Sequence, residues 1–268
     1  MPQSKDTAFG ASIAELYDRS LVPMIFESYA EDIARRVPHD GVSRVLEIAA
    51  GTGAVTRALA RTLPSSINIV ATDLNATMLD RARAHEMPRA VEWRQADVMA
   101  LPFDDASFDV VVCQFGAMFF PDKPRAFAEV RRVLRDGGVF LFNVWDRIED
   151  NEFTAVATDA LVKMFPANPP TFLRRTPHGY FDRTAVERDL RAGGFGAPSV
   201  FETVAARSRA SNAREPAIAL CQGTPVRNEI DPASLDAATD VATQALADAF
   251  GNGAVDGKIQ AHVIEIIK

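Results

Sequence analysis

The stretch that most constrains this chain is Val45-Leu46-Glu47-Ile48-Ala49-Ala50-Gly51-Thr52-Gly53-Ala54-Val55-Thr56. The β-type residues Val45, Leu46 and Ile48 give way to small residues, and a helical pattern starts at once, from Val55 to Leu63. An extended segment, a tight turn and a helix N-terminus must follow one another directly. Gly51 and Gly53 allow turn conformations that a Cβ would penalise and let another molecule approach the main chain. Asp73 closes a second apolar run, Ile67-Asn68-Ile69-Val70-Ala71-Thr72. A carboxylate at that point can accept both hydroxyls of a ribose.

This is the layout of a Rossmann-type nucleotide site, which several ligand classes share. Thr56 stands where the dinucleotide fingerprint wants a third small residue, and Glu47, inside the strand, suits a cation better than a pyrophosphate. Further on, Gln95-Ala96-Asp97-Val98 precedes Leu101-Pro102-Phe103 and Ser107-Phe108-Asp109-Val110-Val111-Val112. Together these residues resemble the class I S-adenosylmethionine (SAM)-dependent methyltransferase family, in the subgroup of quinone-biosynthesis C-methyltransferases, from about Tyr17 to Phe195. Ala49 replaces the usual first glycine of the family's loop, and a negative φ is expected there so that the backbone can still be approached.

The resemblance implies a cofactor, SAM, leaving as S-adenosylhomocysteine, and a set of residues around it. Besides Glu47, Ala49, Gly51, Gly53 and Asp73 with its neighbour Leu74, Tyr17 matches the aromatic that reaches the methionine end. Met78 matches the apolar side chain packed on adenine. Asp97 corresponds to the acid that accepts from the adenine amino group, with the Val98 N–H donating to the ring. Cys113 and Gln114, at the end of strand 4, hold the methionine moiety, and Met118, Phe119 and Phe120 extend an apolar wall toward the acceptor.

At 268 residues and 47% hydrophobic, the chain can bury one α/β core with a cap. Its net charge of −7 argues against nucleic acid as a partner, which needs clustered cations. The two cysteines lack metal spacing, so no metal is expected. The N-terminal residues carry no apolar signal core, and no apolar run approaches the ~20 residues of a membrane helix. A cytoplasmic protein without a membrane span is expected.

Alternating apolar strands and amphipathic helices indicate a parallel sheet covered on both faces. Residues 1–10 are expected to fray, and a helix over Ser12 to Val37 to be broken at Pro23. Strands are expected at Ser43 to Ala49, Ile67 to Thr72, Ala90 to Arg94, Asp105 to Val112, Val139 to Val144, Ser199 to Arg207 and Gly257 to Lys268. A helix from Pro121 to Arg135 is expected to stop at Asp136-Gly137-Gly138, and Asn75 to cap one from Ala76 to His85. The family implies a Rossmann-like, doubly wound, seven-stranded sheet in the order 3-2-1-4-5-7-6 with strand 7 antiparallel. On this reading residues 1–40 are cofactor-covering helices and residues 41–268 the catalytic domain, with helical cap insertions at about 150–181 and 208–256.

Transfer from a sulfonium makes positive charge disappear, so alignment of donor and acceptor is the main demand on the enzyme. A general base is needed only if the acceptor loses a proton. His178, in the expected lid beside Tyr180 and Phe181, is the one catalytic candidate; His39, His85 and His262 read as surface or structural. The lid aromatics Phe153, Phe165, Phe172, Tyr180 and Phe181 are expected to face Phe115 to Phe120 and form an apolar acceptor pocket. The expected activity is methyl transfer to an O, N or C atom of a small aromatic or lipophilic molecule. The alternatives are an NAD(P)-dependent oxidoreductase, which Thr56 opposes, and a non-catalytic SAM-binding protein.

Overall fold

A computed structural model describes residues 10–268. The expected fraying of the extreme N-terminus lies outside them, apart from Gly10. Seven strands form one sheet in the order 3-2-1-4-5-7-6: β1 Arg44–Glu47, β2 Asn68–Asp73, β3 Glu92–Gln95, β4 Phe108–Gln114, β5 Leu134–Trp145, β6 Val200–Ala210 and β7 Val255–Ile267. The first five run parallel, with Val45 beside Ile69 and Val110, Asp73 beside Gln95, and Gln114 beside Asn143. β7 is antiparallel to β5, since Gly138 accepts from Lys268 whereas Asp146 donates to Gln260, so the partners run in opposite directions. The sheet order and mixed character are those expected.

The chain divides into two compact units. One comprises 27–144, 180–203 and 262–268; the other comprises 145–179, 204–261 and the described residues up to 26. In the first unit α3 (Ala54–Thr62) and α5 (Lys123–Val133) carry apolar faces, and Leu46, Leu59, Phe108, Phe127, Phe140 and Phe142 are fully buried. Such near-continuous burial of parallel strands requires cover on both sides. α4 (Ala76–Arg83) starts where Asn75 accepts from the Thr77 N–H at 2.9 Å, as the cap predicted. α8 (Arg183–Ala192) is capped in the same way by Asp182.

In the second unit α6 (Glu152–Met164), α9 (Arg214–Gln222) and α10 (Leu235–Phe250) pack on one another, with α1 (Ala11–Leu16) and the following turns against α9. Phe153 is core here: its ring meets Phe250 edge-on at 4.9 Å and would touch any Cβ at Gly257. No helix among the described residues is long and apolar enough to cross a membrane.

Two local expectations are corrected. Pro23 does not break its helix: Tyr17–Phe26 form a π-helical segment containing it, between α1 and α2 (Glu27–Arg36). A proline removes one N–H from the ladder and crowds the preceding carbonyl, and a wider helical turn relieves both. Likewise α5 ends at Val133, and Arg135 to Gly138 lie in β5. The end of β7 recruits them, with Gly137 donating to Lys268 and Lys268 to Gly138.

Asp109 anchors the start of β1 to β4. Its Oδ2 accepts from the Ser43 N–H (2.8 Å), the Ser43 hydroxyl (2.9 Å) and the Arg44 N–H (2.8 Å). Oδ1 pairs with Arg135 at 2.5 Å. Burial opposes ionisation, but these donors outweigh it and hold the carboxyl below its ordinary range. A depressed carboxylate pKa stabilises the fold above the unfolded pKa, and that stabilisation is lost as pH falls through the folded one. Asp109→Asn is therefore expected to cost about 1.5–3 kcal/mol in urea unfolding at pH 7. The difference from the parent should shrink in acid; a gap of equal size at pH 3 would remove Asp109 from this role.

Candidate functional site

The candidate site is built at the carboxyl ends of β1, β2 and β4, the edge where open parallel sheets bind ligands. Glu47, the last residue of β1, is buried, and its Oε2 accepts from Thr56 Oγ1 on α3 at 2.6 Å. Burial, eased by the Thr56 bond, pushes its carboxyl up to about 8. Thr56 is thus more than a mismatch to the dinucleotide fingerprint: it is the partner of the strand carboxylate.

Between β1 and α3 the loop turns on three residues in the left-handed region, Ala49 (φ +54°), Gly51 (+56°) and Gly53 (+82°). The negative φ expected of Ala49 is incorrect. Ile48 is bonded to Val112 on β4 and Ala50 to Thr72 on β2, and the chain must turn between them. A left-handed alanine costs roughly 1–2 kcal/mol, so the neighbours hold it there. Gly53 has a second restriction, because a Cβ would lie 3.1 Å from Ala82 Cβ and 3.3 Å from the Trp93 ring.

Asp73 ends β2 facing this loop. Its Oδ2 accepts from the Gly51 N–H and Oδ1 from the Asn75 N–H, each at 2.8 Å. Part of its surface stays open, while burial raises its carboxyl's pKa. A carboxylate has about four lone-pair directions, and with the Leu74 N–H also engaged, acceptor capacity remains for a further donor. Leu74 beside it is exposed, and its carbonyl accepts from Gln95 Nε2 at 2.9 Å. Met78 is buried beneath the loop, its Cε 3.8 Å from where a Gly51 Cβ would be. Asp97 is exposed and caps the turn Val98–Ala100 through the Met99 N–H at 2.8 Å.

At the end of β4, Cys113 is fully buried, which pushes its thiol up to about 12, and Gln114 is half-buried. Phe115 follows with φ +50°, its N–H donating to both the Oδ1 (2.9 Å) and the carbonyl (3.2 Å) of Asn143 on β5. Sequence reasoning missed Asn143, although an amide inside Phe140-Leu141-Phe142-Asn143-Val144 is a signal that a buried partner exists. Met118 and Phe120 are buried beyond it.

Tyr17 and His178 belong to the helical unit. Tyr17 is half-buried and stacks on Phe26 at 5.0 Å. His178 is buried, with Nδ1 2.8 Å from the Asp146 carbonyl, so the neutral ring donates there. Burial lowers its pKa to about 4, which makes it a weak base. The expected lid aromatics are divided: Phe153, Phe165 and Phe172 fall in the helical unit, Tyr180 and Phe181 in the sheet unit. Tyr180 is tied to Asp189 by its hydroxyl at 3.0 Å and covered by Lys123 at 4.7 Å. Among the described residues no group of His, Cys, Asp or Glu is arranged to hold a metal.

The turn after β4 is fitted to Ala49. A Cβ on Gly116 would lie 2.5 Å from Ala49 Cβ and 2.8 Å from Cys113 Sγ. Gly116→Ala is expected to destabilise by about 1–3 kcal/mol. Ala49→Gly should recover part of that loss, and a double-mutant cycle by denaturant unfolding should read a coupling of roughly 0.5 kcal/mol or more. Strict additivity would mean that the two positions do not meet.

Residues 46–142 match the family described as "Methyltransferase domain". The ubiquinone/menaquinone biosynthesis C-methyltransferase of Hahella chejuensis is 43% identical over 101 residues, covering 36% of this chain and 41% of that protein. The demethylmenaquinone methyltransferase of Lactobacillus johnsonii is 29% identical over 164 residues, 56% of this chain and 66% of that one. The chain thus spans less than two thirds of these relatives' lengths. Among solved structures, Haemonchus contortus phosphoethanolamine N-methyltransferase 2, in complex with its phosphomonomethylethanolamine ligand and S-adenosylhomocysteine, superposes with a TM-score of 0.59 at 16% identity. That superposition covers 100% of this chain and 61% of the other, and it shows the fold. Its glycine loop, strand-end carboxylates and sheet order thus accompany a methyltransferase-domain match over residues 46–142 and similarity to quinone-biosynthesis C-methyltransferases.

Proposed function

We propose that the chain is a SAM-dependent methyltransferase that transfers a methyl group by SN2 displacement to an O, N or C atom of a small aromatic or lipophilic acceptor. The observation that carries this reading is the Asp73 carboxylate, held by Gly51 and Asn75 at the mouth of a glycine loop whose turn excludes side chains. Bound SAM supplies the electrophilic methyl on its sulfonium. Asp73 takes the ribose hydroxyls, the N–H groups of the loop lie along the cofactor, and Met78 supports the loop from below. Asp97 and the Val98 N–H read the adenine, and Cys113 and Gln114 take the methionine end. The quinone-pathway names of the relatives support a lipophilic ring acceptor. Apolar surroundings suit such a molecule better than a protein or nucleic acid. Acceptor selection is assigned to the segment at about 150–181, with His178 as the one candidate for an acceptor-side group.

Incubation with methyl-labelled SAM and a panel of quinols and phenols, read by mass spectrometry, tests the activity. Label transferred to one class supports it; binding of SAM without transfer to any acceptor would favour a non-catalytic binding protein, and binding of NAD(P) instead would favour an oxidoreductase. Asp73→Ala should weaken SAM binding by about 1.5–3 kcal/mol per charged hydrogen bond lost. Unchanged affinity in calorimetry of a folded variant would take Asp73 out of the site.

Glu47 makes the binding pH-dependent. Its raised pKa, about 8, means that at pH 6–7 the unliganded protein holds a proton there. A cation bound nearby favours the carboxylate, so SAM binding should release that proton and tighten as pH rises toward 8. Calorimetry in buffers of different ionisation enthalpy should detect the release, and Glu47→Gln should abolish it. Equal proton release from the variant would assign it to another group.

A further inference from the structure

The helical unit contains a cavity of about 630 Å³, within the range of small-molecule sites. None of the residues assigned to methyl transfer lines it. One wall is the π-helical segment, through Arg19, Ser20, Pro23 and Met24. The other is the end of β6 and the start of α9, with Arg209, Ser211, Glu215 and Ile218.

The charge of the lining is unusual for a chain whose net charge is −7. Glu215 is already engaged, accepting from the Ser211 N–H (3.1 Å) and hydroxyl (2.5 Å). Arg209 gives its Nε to Asp256 at 2.9 Å, but Arg207 gives its Nε to the same residue at 2.6 Å, so two guanidinium groups share one carboxylate. Arg19 is exposed and has no ion pair among the described residues. Cations thus outnumber unengaged carboxylates in the lining, and Met24 and Ile218 add apolar surface to it.

We propose that this cavity is a second ligand site, for a small organic anion whose carboxylate or phosphate head lies between Arg19 and Arg209 and whose apolar body lies along Met24 and Ile218. Guanidinium groups recognise both heads through paired N–H donors. The site is independent of the methyl-transfer reading, because its binding is measured without SAM.

The test is calorimetric titration of the full chain with octanoate, octyl phosphate, octanol and octylamine. The two anions should bind saturably and at least about tenfold more tightly than octanol, with octylamine weakest; the tighter anion names the head group. Arg19→Glu, an exposed change, should lower anion affinity about tenfold or more, whereas the charge-matched Arg61→Glu on α3 should not. Ser20→Trp, which fills the cavity, should abolish binding of all four compounds while circular dichroism stays unchanged. Octanol binding as tightly as the anions, equal effects of the two arginine changes, or no saturable binding in the millimolar range would overturn the proposal.

Discussion

The hydrogen bond from Thr56 to the buried carboxylate of Glu47 joins the last residue of β1 to the first turn of α3, across the loop that the site is made of. A carboxyl group buried at that depth is tolerated only if it is protonated or partnered. Here both apply, since the Thr56 bond is short and burial lifts the pKa to about 8. The carbonyl of the same residue accepts from the Thr72 hydroxyl on β2 at 3.0 Å, so Glu47 also ties two neighbouring strands. Strand end, helix start and the β2 end that carries Asp73 are set by this one residue.

Around that anchor the backbone takes conformations that side chains disfavour. Ala49 and Phe115, both non-glycine residues with positive φ, lie in turns next to Gly116, which faces Ala49. Such conformations persist where the surroundings over-determine them, and they gather at ligand sites. The surroundings here are identifiable: Asn143 takes the Phe115 N–H with both its oxygens, and the Tyr29 ring meets the Phe115 ring edge-on at 5.3 Å. The methyl group of Ala49 is accommodated because the opposing residue, Gly116, has no Cβ.

Each of the two units is assembled from segments distant in sequence. Segment order alone does not divide them, because β5, β6 and β7 each contribute residues to both units. In the helical unit, α9 and α10 come from the insertion before β7 and α6 from the one after β5. The aromatics of the expected lid are held by different partners in the two units. Phe153 is consumed by contacts with Phe250 and Gly257, whereas Tyr180 is bound into the sheet unit by Asp189 and Lys123.

Local chemistry determined a good deal of this protein. The apolar runs at Val45, Ile69 and Val110 could only be parallel strands covered on both faces, and Asn75 and Asp182 could begin helices through their own side chains. Gly51, Gly53 and Asp73 marked the candidate site because backbone freedom and a strand-end carboxylate are properties of those residues themselves. Other features depend on partners that spacing along a chain does not reveal. The left-handed Ala49 needs Gly116, the turn at Phe115 needs Asn143, and the early start of β5 needs the end of β7, 131 residues from Gly137 in the case of Lys268. Pro23 belongs here too: its ring dictates only that the α-helical ladder lose one bond, and the π turn that absorbs the loss is held by its packing against α9. These were decided by tertiary structure, since a strained or irregular backbone is stable only when contacts from elsewhere in the fold hold it in place.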